Sequence, residues 1–287
     1  MRLPVWIGRT YIISQLVLRI RLLEDSTLAG KVYHYPRYYD IGFSWDTRRE
    51  LDFLESCFKR YGRPSTSSVL ELGCGTGRLL IGLAKRGYRV IGVDNSHPMV
   101  EYLSEKARRL GVTVHVVEQD MEKFVIPEKV DAAFCAINTF RYLLTEKAGL
   151  DHLSSVGESL RPGGIYVIDF VLLGLLGSYP KSDPEEWTVD AEGISVKVTH
   201  RFLGVPDLKS RRILDEITLT IRDGEAIEKI SAEDPMRTYT KEEFESLVQS
   251  SGRFRILAWH GPDLDIDKRL EPGPETERVL VILKRHL

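Results

Sequence analysis

Only three cysteines occur in the 287 residues, Cys57, Cys74 and Cys135, and no two of them stand in a CxxC spacing. That argues against a disulfide scaffold and a structural zinc site, and it makes a reducing cytoplasm the natural compartment. Side-chain amides are scarcer relative to expectation: two asparagines (Asn95 and Asn138) and three glutamines stand beside 26 arginines and 14 lysines. Few thermolabile amides among many charges is a thermophile pattern, although an arginine excess is its weaker half. A charge excess of one sign is missing too. Forty Lys plus Arg against 42 Asp plus Glu leave a net charge of -2. No global basic field exists to hold nucleic acid, and the two basic clusters, the N-terminal arginines and Arg211-Arg212, are scattered. No hydrophobic run is long enough for a membrane span, which needs about 20 residues. Arg9, Gln15, Arg19 and Arg21 interrupt the apolar-rich residues 1–23, whose longest uncharged stretch is Thr10–Leu18. The same breaks, with no small-residue cleavage site behind them, argue against a signal peptide.

What is present is an ordinary globular composition, 43% hydrophobic and 29% charged, sufficient for one or two domains. Ile12, Ile13, Leu16, Val17, Ile20 and Leu23 share one helical face, so residues 1–34 read as a helical extension. It packs on the body or a second subunit, or lies on a membrane surface. From about residue 69 short apolar runs alternate with helical stretches. Strands are expected at Val69–Leu72, Arg89–Val93, Val112–Val117, Val130–Cys135 and Ile165–Phe170. Helices are expected at Arg78–Arg86, from a Ser96 cap to Leu110, and at Glu146–Leu160. Nearly continuous apolar strands alternating with helices imply an α/β fold whose parallel sheet is covered on both faces.

Residues 187–231 change period. Ile194, Val196, Val198, His200 and Phe202 alternate with polar residues; after a Pro206-Asp207 turn, Ile217, Leu219 and Ile221 do the same, and Asp223-Gly224 signals a hairpin. An antiparallel sheet over residues 183–235 is therefore inserted into the body, which comprises residues 35–182 and 236–287. The helical pattern resumes at a Thr240–Glu243 capping box, followed by strands at Arg253–His260 and Arg278–Lys284. Between those strands Asp263, Asp265 and Asp267 suggest calcium, but Lys268 and Pro274 stand where a calcium loop needs Gly and Glu, so no metal site is expected.

The chemistry gathers after strand one, in Glu71-Leu72-Gly73-Cys74-Gly75-Thr76-Gly77. Glycines there turn the backbone sharply and let a ligand approach the main chain. A dinucleotide fingerprint would place Gly at position 78, which is Arg78, and no GKS or GKT follows for a phosphate loop. Asp94 ends strand two, where a carboxylate can accept from vicinal ribose hydroxyls, and Asp120 lies beyond strand three, where it can accept from an exocyclic amine.

Val69–Gly77, Val93-Asp94, Gln119-Asp120-Met121 and Leu160-Arg161-Pro162-Gly163-Gly164 together resemble, in order and spacing, the class I S-adenosylmethionine-dependent methyltransferases. The resemblance covers about residues 35–175 and, more loosely, the final helix and strand pair. It implies a doubly wound seven-stranded Rossmann-like sheet, in order 3-2-1-4-5-7-6 with strand seven antiparallel. It implies S-adenosyl-L-methionine as cofactor, with Gly73, Gly75 and Gly77 under the methionine part and Asp94 on the ribose. Asp120 with Met121 would hold the adenine, and Met99 would pack on the adenosine. Glu71, Cys74, Asn95 and Ala136 flank these motifs and join the expected cofactor site. Tyr38-Tyr39-Asp40 resembles the Tyr-Asp element that covers the cofactor, and Asn138 follows strand four where the family lines the cleft between cofactor and acceptor. Tyr39 and Asn138 are therefore the expected catalytic residues. Thr139 and Phe140 replace the prolines of the NPPY-like motif of amino-methylating nucleic-acid enzymes.

Phe140, His200, Arg237 and Tyr239 are candidates for facing the acceptor. The insertion resembles that of small-molecule N- and O-methyltransferases such as glycine and deoxyamino-sugar N-methyltransferases. No strong base stands in the matched motifs, which favours an amine or a self-ionising acceptor. The expected partner is a small molecule, with a homodimer as the competing use of the insertion's apolar face. An RNA or protein methyltransferase, a non-catalytic S-adenosylmethionine-binding protein and a nicotinamide-dependent oxidoreductase are the rival readings.

Overall fold

The computed structural model describes residues 30–173, 184–273 and 275–286. The helical face at 12–23 lies outside the described residues. After a 3-10 turn at Lys31–His34, α1 (Pro36–Gly42) and α2 (Arg48–Tyr61) precede β1 (Ser68–Leu72). Alternation follows: α3 (Leu80–Lys85), β2 (Arg89–Asp94), α4 (His97–Arg109), β3 (His115–Glu118), β4 (Val130–Cys135), α5 (Glu146–Ser159) and β5 (Leu160–Val171). Four antiparallel strands come next, β6 (Glu185–Ala191), β7 (Ile194–Asp207), β8 (Arg212–Asp223) and β9 (Ala226–Arg237). The body closes with α6 (Lys241–Ser251), β10 (Phe254–His260) and β11 (Arg278–Arg285).

The large sheet has seven strands in the order β10-β11-β5-β4-β1-β2-β3. Only β11 runs against its neighbours, pairing antiparallel with β5 and β10. This is the order that the family resemblance implies. β1 and β4 are buried along their whole length, while β3, at the edge, is half-exposed. Leu70, Leu72, Tyr166 and Phe170 face α5 and α6 on one side. Val69, Phe134 and Val167 face α2 and α3 on the other. Among the described residues no helix is long and apolar enough to cross a membrane.

The second sheet has the order β6-β7-β8-β9. Its inward residues Ile194, Val196, Val198, Leu219 and Ile221 are buried as their alternation demands. Pro206-Asp207 is no turn, however. β7 continues through Asp207 after a register shift, and the chain reverses at 208–211, because the Asp207 carboxylate accepts from Lys209 N at 2.9 Å and Ser210 Oγ at 2.6 Å. The apolar face is covered by the chain's own Val32, Ile41 and Phe43 with their flanking tyrosines. Gly42 permits this: a Cβ there would lie 2.8 Å from Val198 Cγ2, and its carbonyl accepts from Trp187 Nε1 at 2.6 Å. Asp40 latches the segment to α4, accepting from Tyr102 at 3.0 Å and Lys106 at 2.5 Å.

Thr240 and Glu243 form the expected capping box of α6. Ser96 occupies the N-cap position of α4, but its hydroxyl makes no cap bond and points to Tyr33 O at 3.4 Å, since Asp94 already holds this turn. On α5, buried His152 donates from Nδ1 to Met121 O at 2.7 Å and accepts at Nε2 from the Tyr166 hydroxyl at 2.7 Å. Accepting at Nε2 requires the neutral ring, and burial pushes its pKa from 6.5 to about 4. Protonation then favours the unfolded chain, so this contribution is present above pH 6.5 and is lost as pH falls toward 4. The stability advantage of the native protein over His152→Gln should therefore shrink between pH 7 and pH 4 in thermal melts. A constant advantage would show that the ring does not titrate differently on folding.

Candidate active site

A cavity of about 490 Å³ lies between the carboxyl ends of β1 and β4 and the antiparallel sheet. Open α/β sheets bind ligands at that edge. The loop after β1 forms its floor. Gly75 has φ 48° and faces open space, so no side chain stands between its backbone and a ligand. Gly77 serves packing instead: a Cβ there would run into Leu103 on α4. Asp94 braces the loop, accepting from Gly75 N at 2.7 Å through Oδ2 and from Ser96 N at 2.9 Å through Oδ1. Burial pushes its carboxyl up, partly offset by those N–H groups. Beside Gly73, Glu71 is buried with Oε2 unpaired, and burial holds its carboxyl well above the ordinary range. A buried carboxylate oxygen without a partner is costly unless a ligand or water supplies one.

The loop after β4 carries backbone strain. Ile137 and Asn138 have φ 49° and 60°, and a β-branched residue rarely adopts such a value. Asp169 on β5 holds both: Oδ2 accepts from Ile137 N at 3.2 Å and its carbonyl from Asn138 N at 3.0 Å. Arg278, at the start of β11, grips the same carboxylate with bonds of 2.9 and 2.8 Å. Asn138 Oδ1 accepts from Val171 N at 2.8 Å, so its amide oxygen is committed to β5.

Opposite the floor stand aromatic rings and a polar pair. Tyr39 stacks on Phe43 at 4.2 Å, and Phe43 meets Trp45 and Trp187 at 5.6 Å each. The Tyr33 and Tyr142 hydroxyls share a bond of 2.7 Å. His200 Nε2 lies 2.6 Å from Asp215 Oδ1, and Asp215 is 2% exposed.

The fold thus brings Glu71, Gly73, Cys74, Gly75, Ala136, Asn138, Tyr39 and His200 onto one cavity. Asp94 reaches it only through the glycine loop. Tyr38 packs under the antiparallel sheet against Tyr35. Met99, Phe140 and Tyr239 are buried in packing contacts, Phe140 and Tyr239 in one aromatic cluster. Arg237 lies over the Tyr239 ring at 5.1 Å. Asn95 and Asp120 are exposed, and the Asp120 carboxylate accepts from Glu122 N at 2.7 Å. Met121, half-buried, is fixed through its carbonyl by His152.

Sequence reasoning missed Asp215, Trp187 and Arg278 on the cavity. For Asp215 a signal existed: it occupies an inward register, between Ile213 and Ile217, that the alternation reserves for apolar residues. Arg278→Leu should leave Asp169 buried without its counter-charge and cost about 1–3 kcal/mol in urea unfolding. Because the freed loop lines the cavity, S-adenosylhomocysteine should also bind more weakly, as read by calorimetry.

Residues 69–164 match the family model described as a methyltransferase domain. The protein YqeM of Bacillus subtilis (strain 168), named as a methyltransferase, is 25% identical over 219 residues, covering 75% of this chain and 83% of its own. A solved S-adenosylmethionine-dependent methyltransferase from Clostridium acetobutylicum superposes with TM-score 0.69 at 22% identity, over 88% of this chain and 98% of that one. The sugar N-methyltransferase KedS8 from Streptoalloteichus sp. gives TM-score 0.68 at 19% identity, over 88% and 93%. At these identities the two structures establish the fold, while the family model covers residues 69–164, about a third of the chain, which carry the glycine loop. The chain has the Rossmann-like fold of the class I S-adenosylmethionine-dependent methyltransferases, and its residues 69–164 match a methyltransferase domain.

Proposed function

We propose that this enzyme methylates the nitrogen of a small-molecule amine inside the cavity between its glycine loop and its antiparallel sheet. The observation that carries this reading is the concave pocket: a volume of about 490 Å³ lined by both sheets suits a small molecule rather than an RNA or protein surface. The residues fit the cofactor. Glu71 offers an unpaired buried oxygen, and a positively charged group beside it would stabilise the carboxylate form that burial disfavours, while Gly75 leaves its side of the cavity open. Asp94 spends one backbone bond per oxygen and retains acceptor capacity for ribose hydroxyls. When bound, S-adenosylmethionine supplies an electrophilic methyl on a sulfonium that leaves as a neutral thioether. The protein's part is to align the acceptor, exclude water and receive any proton. Carboxylates of Glu185 and Asp215 on the roof favour a cationic acceptor over an anionic one. The sugar N-methyltransferase with the same fold supports an amine.

S-Adenosylhomocysteine at about 100 times its dissociation constant should stabilise the protein by roughly 2.7 kcal/mol, and a nicotinamide dinucleotide should not. Asp94→Ala should weaken that binding by about 1.5–3 kcal/mol for each ribose hydrogen bond lost. Unchanged affinity would assign Asp94 to bracing the loop alone. A labelled-methyl screen of small amines, phenols and RNA should give product on amines; product confined to phenols or RNA refutes the amine reading.

A further inference from the structure

His200 and Asp215 stand at inward positions of adjacent strands whose other inward residues are apolar, so a half-buried imidazole and a buried carboxylate occupy places where the alternation calls for no polar group. A buried polar group without a partner is costly, and these two satisfy one another: Nε2–H donates to Asp215 Oδ1 at 2.6 Å. Both also line the cavity. The other ring nitrogen, Nδ1, has no hydrogen bond among the described residues and lies 3.7 Å from Glu185 Oε2 on β6. A packing role would be met by an apolar pair of the same volume. What this arrangement adds is an imidazole with one nitrogen tethered to a buried carboxylate and the other facing the exposed Glu185 carboxylate at the cavity.

We propose that His200, backed by Asp215, takes the proton from an acceptor that enters as an ammonium ion between the imidazole and Glu185. This deepens the amine reading above and rests on it. The proton passes from the acceptor nitrogen to Nδ1, and the imidazolium is balanced by Asp215. The freed nitrogen lone pair forms the N–CH3 bond, and the electron pair of the broken C–S bond stays on sulfur. Burial opposes the charge on His200, but Asp215 and then Glu185 outweigh it and raise the pKa above its ordinary value, which strengthens the base. The other titratable groups around the pair are Tyr142 in the turn after β4, Tyr39 on α1 and Asp234 on β9, with Arg278 beyond Glu185.

The test uses the full chain saturated with S-adenosylhomocysteine and two matched probes, cyclohexylamine and cyclohexanol. Histidine ring NMR is followed across pH, with the His200 signal identified by its loss in His200→Gln. His200 should titrate, and cyclohexylamine should move its signal far more than cyclohexanol does. Asp215→Asn should bring the titration to lower pH. His200→Gln, which covers the case of an unfolded Asp215→Asn, should lose about tenfold in cyclohexylamine affinity, ~1.4 kcal/mol, with S-adenosylhomocysteine affinity unchanged. A ring that does not titrate, a titration unmoved in Asp215→Asn, or an equal or absent response to the two probes overturns the proposal. Any of these alongside normal S-adenosylhomocysteine binding removes the pair's role alone, whereas a wild type that does not bind S-adenosylhomocysteine removes the cofactor reading beneath it.

Discussion

An antiparallel sheet with one apolar face must cover that face, and in this protein the covering also builds the site. Residues 32–43 fill the half over Val196, Val198 and Leu219, with Gly42 letting α1 approach the strands. The other half, near His200, Phe202 and Ile217, lies over the carboxyl edge of the parallel sheet and becomes the roof of the cavity. Burial of this one face therefore places the aromatic segment, orients Tyr39 and roofs the cavity. The Asp40 bonds to Tyr102 and Lys106 tie the same segment to α4, so roof, wall and floor share one set of anchors.

The floor obeys a second constraint, that buried polar groups need partners. Asp94 holds Gly75, Asp169 holds Ile137 and Asn138, and Arg278 holds Asp169. Strained φ values at Ile137 and Asn138 persist because this network over-determines them. Against that economy two features stand out. Glu71 keeps an unpaired buried oxygen, and His200 turns its second ring nitrogen to the Glu185 carboxylate 3.7 Å away. Both line the cavity, one on its floor and one on its roof. Such groups on the cavity are where a charged ligand would find its partners.

The fold was legible because its signals are local. Apolar runs at β1, β4 and β5, the glycine turn after β1, the Thr240 capping box and the period-two stretch of β7 and β8 each follow from residues close in the chain. The Pro206-Asp207 turn misread the same kind of evidence, since a proline at a bulged position looks like a turn until the Asp207 carboxylate is seen to close the reversal beyond it. Site residues divided along the same line. Glu71, Gly73, Gly75 and Asn138 sit in contiguous motifs at strand ends and do meet on the cavity. Phe140 and Tyr239 sit beside such motifs, yet their rings turn into the core, where Phe170 and Phe244 offer apolar contact that water does not.

By itself the sequence determined the parallel body, the strand ends that carry the cofactor motifs and the existence of an amphipathic insertion, because periodicity and turn chemistry act within a few residues. Tertiary structure alone decided what the insertion covers and which side chains meet beneath it. The contacts of Asp169 with Arg278, of Gly42 with Val198 and of Asp94 with Gly75 join segments that only packing brings together. His200 and Asp215 lie between these cases: each departs visibly from an apolar alternation, but their contact depends on the register of two strands and their chemistry on the cavity below.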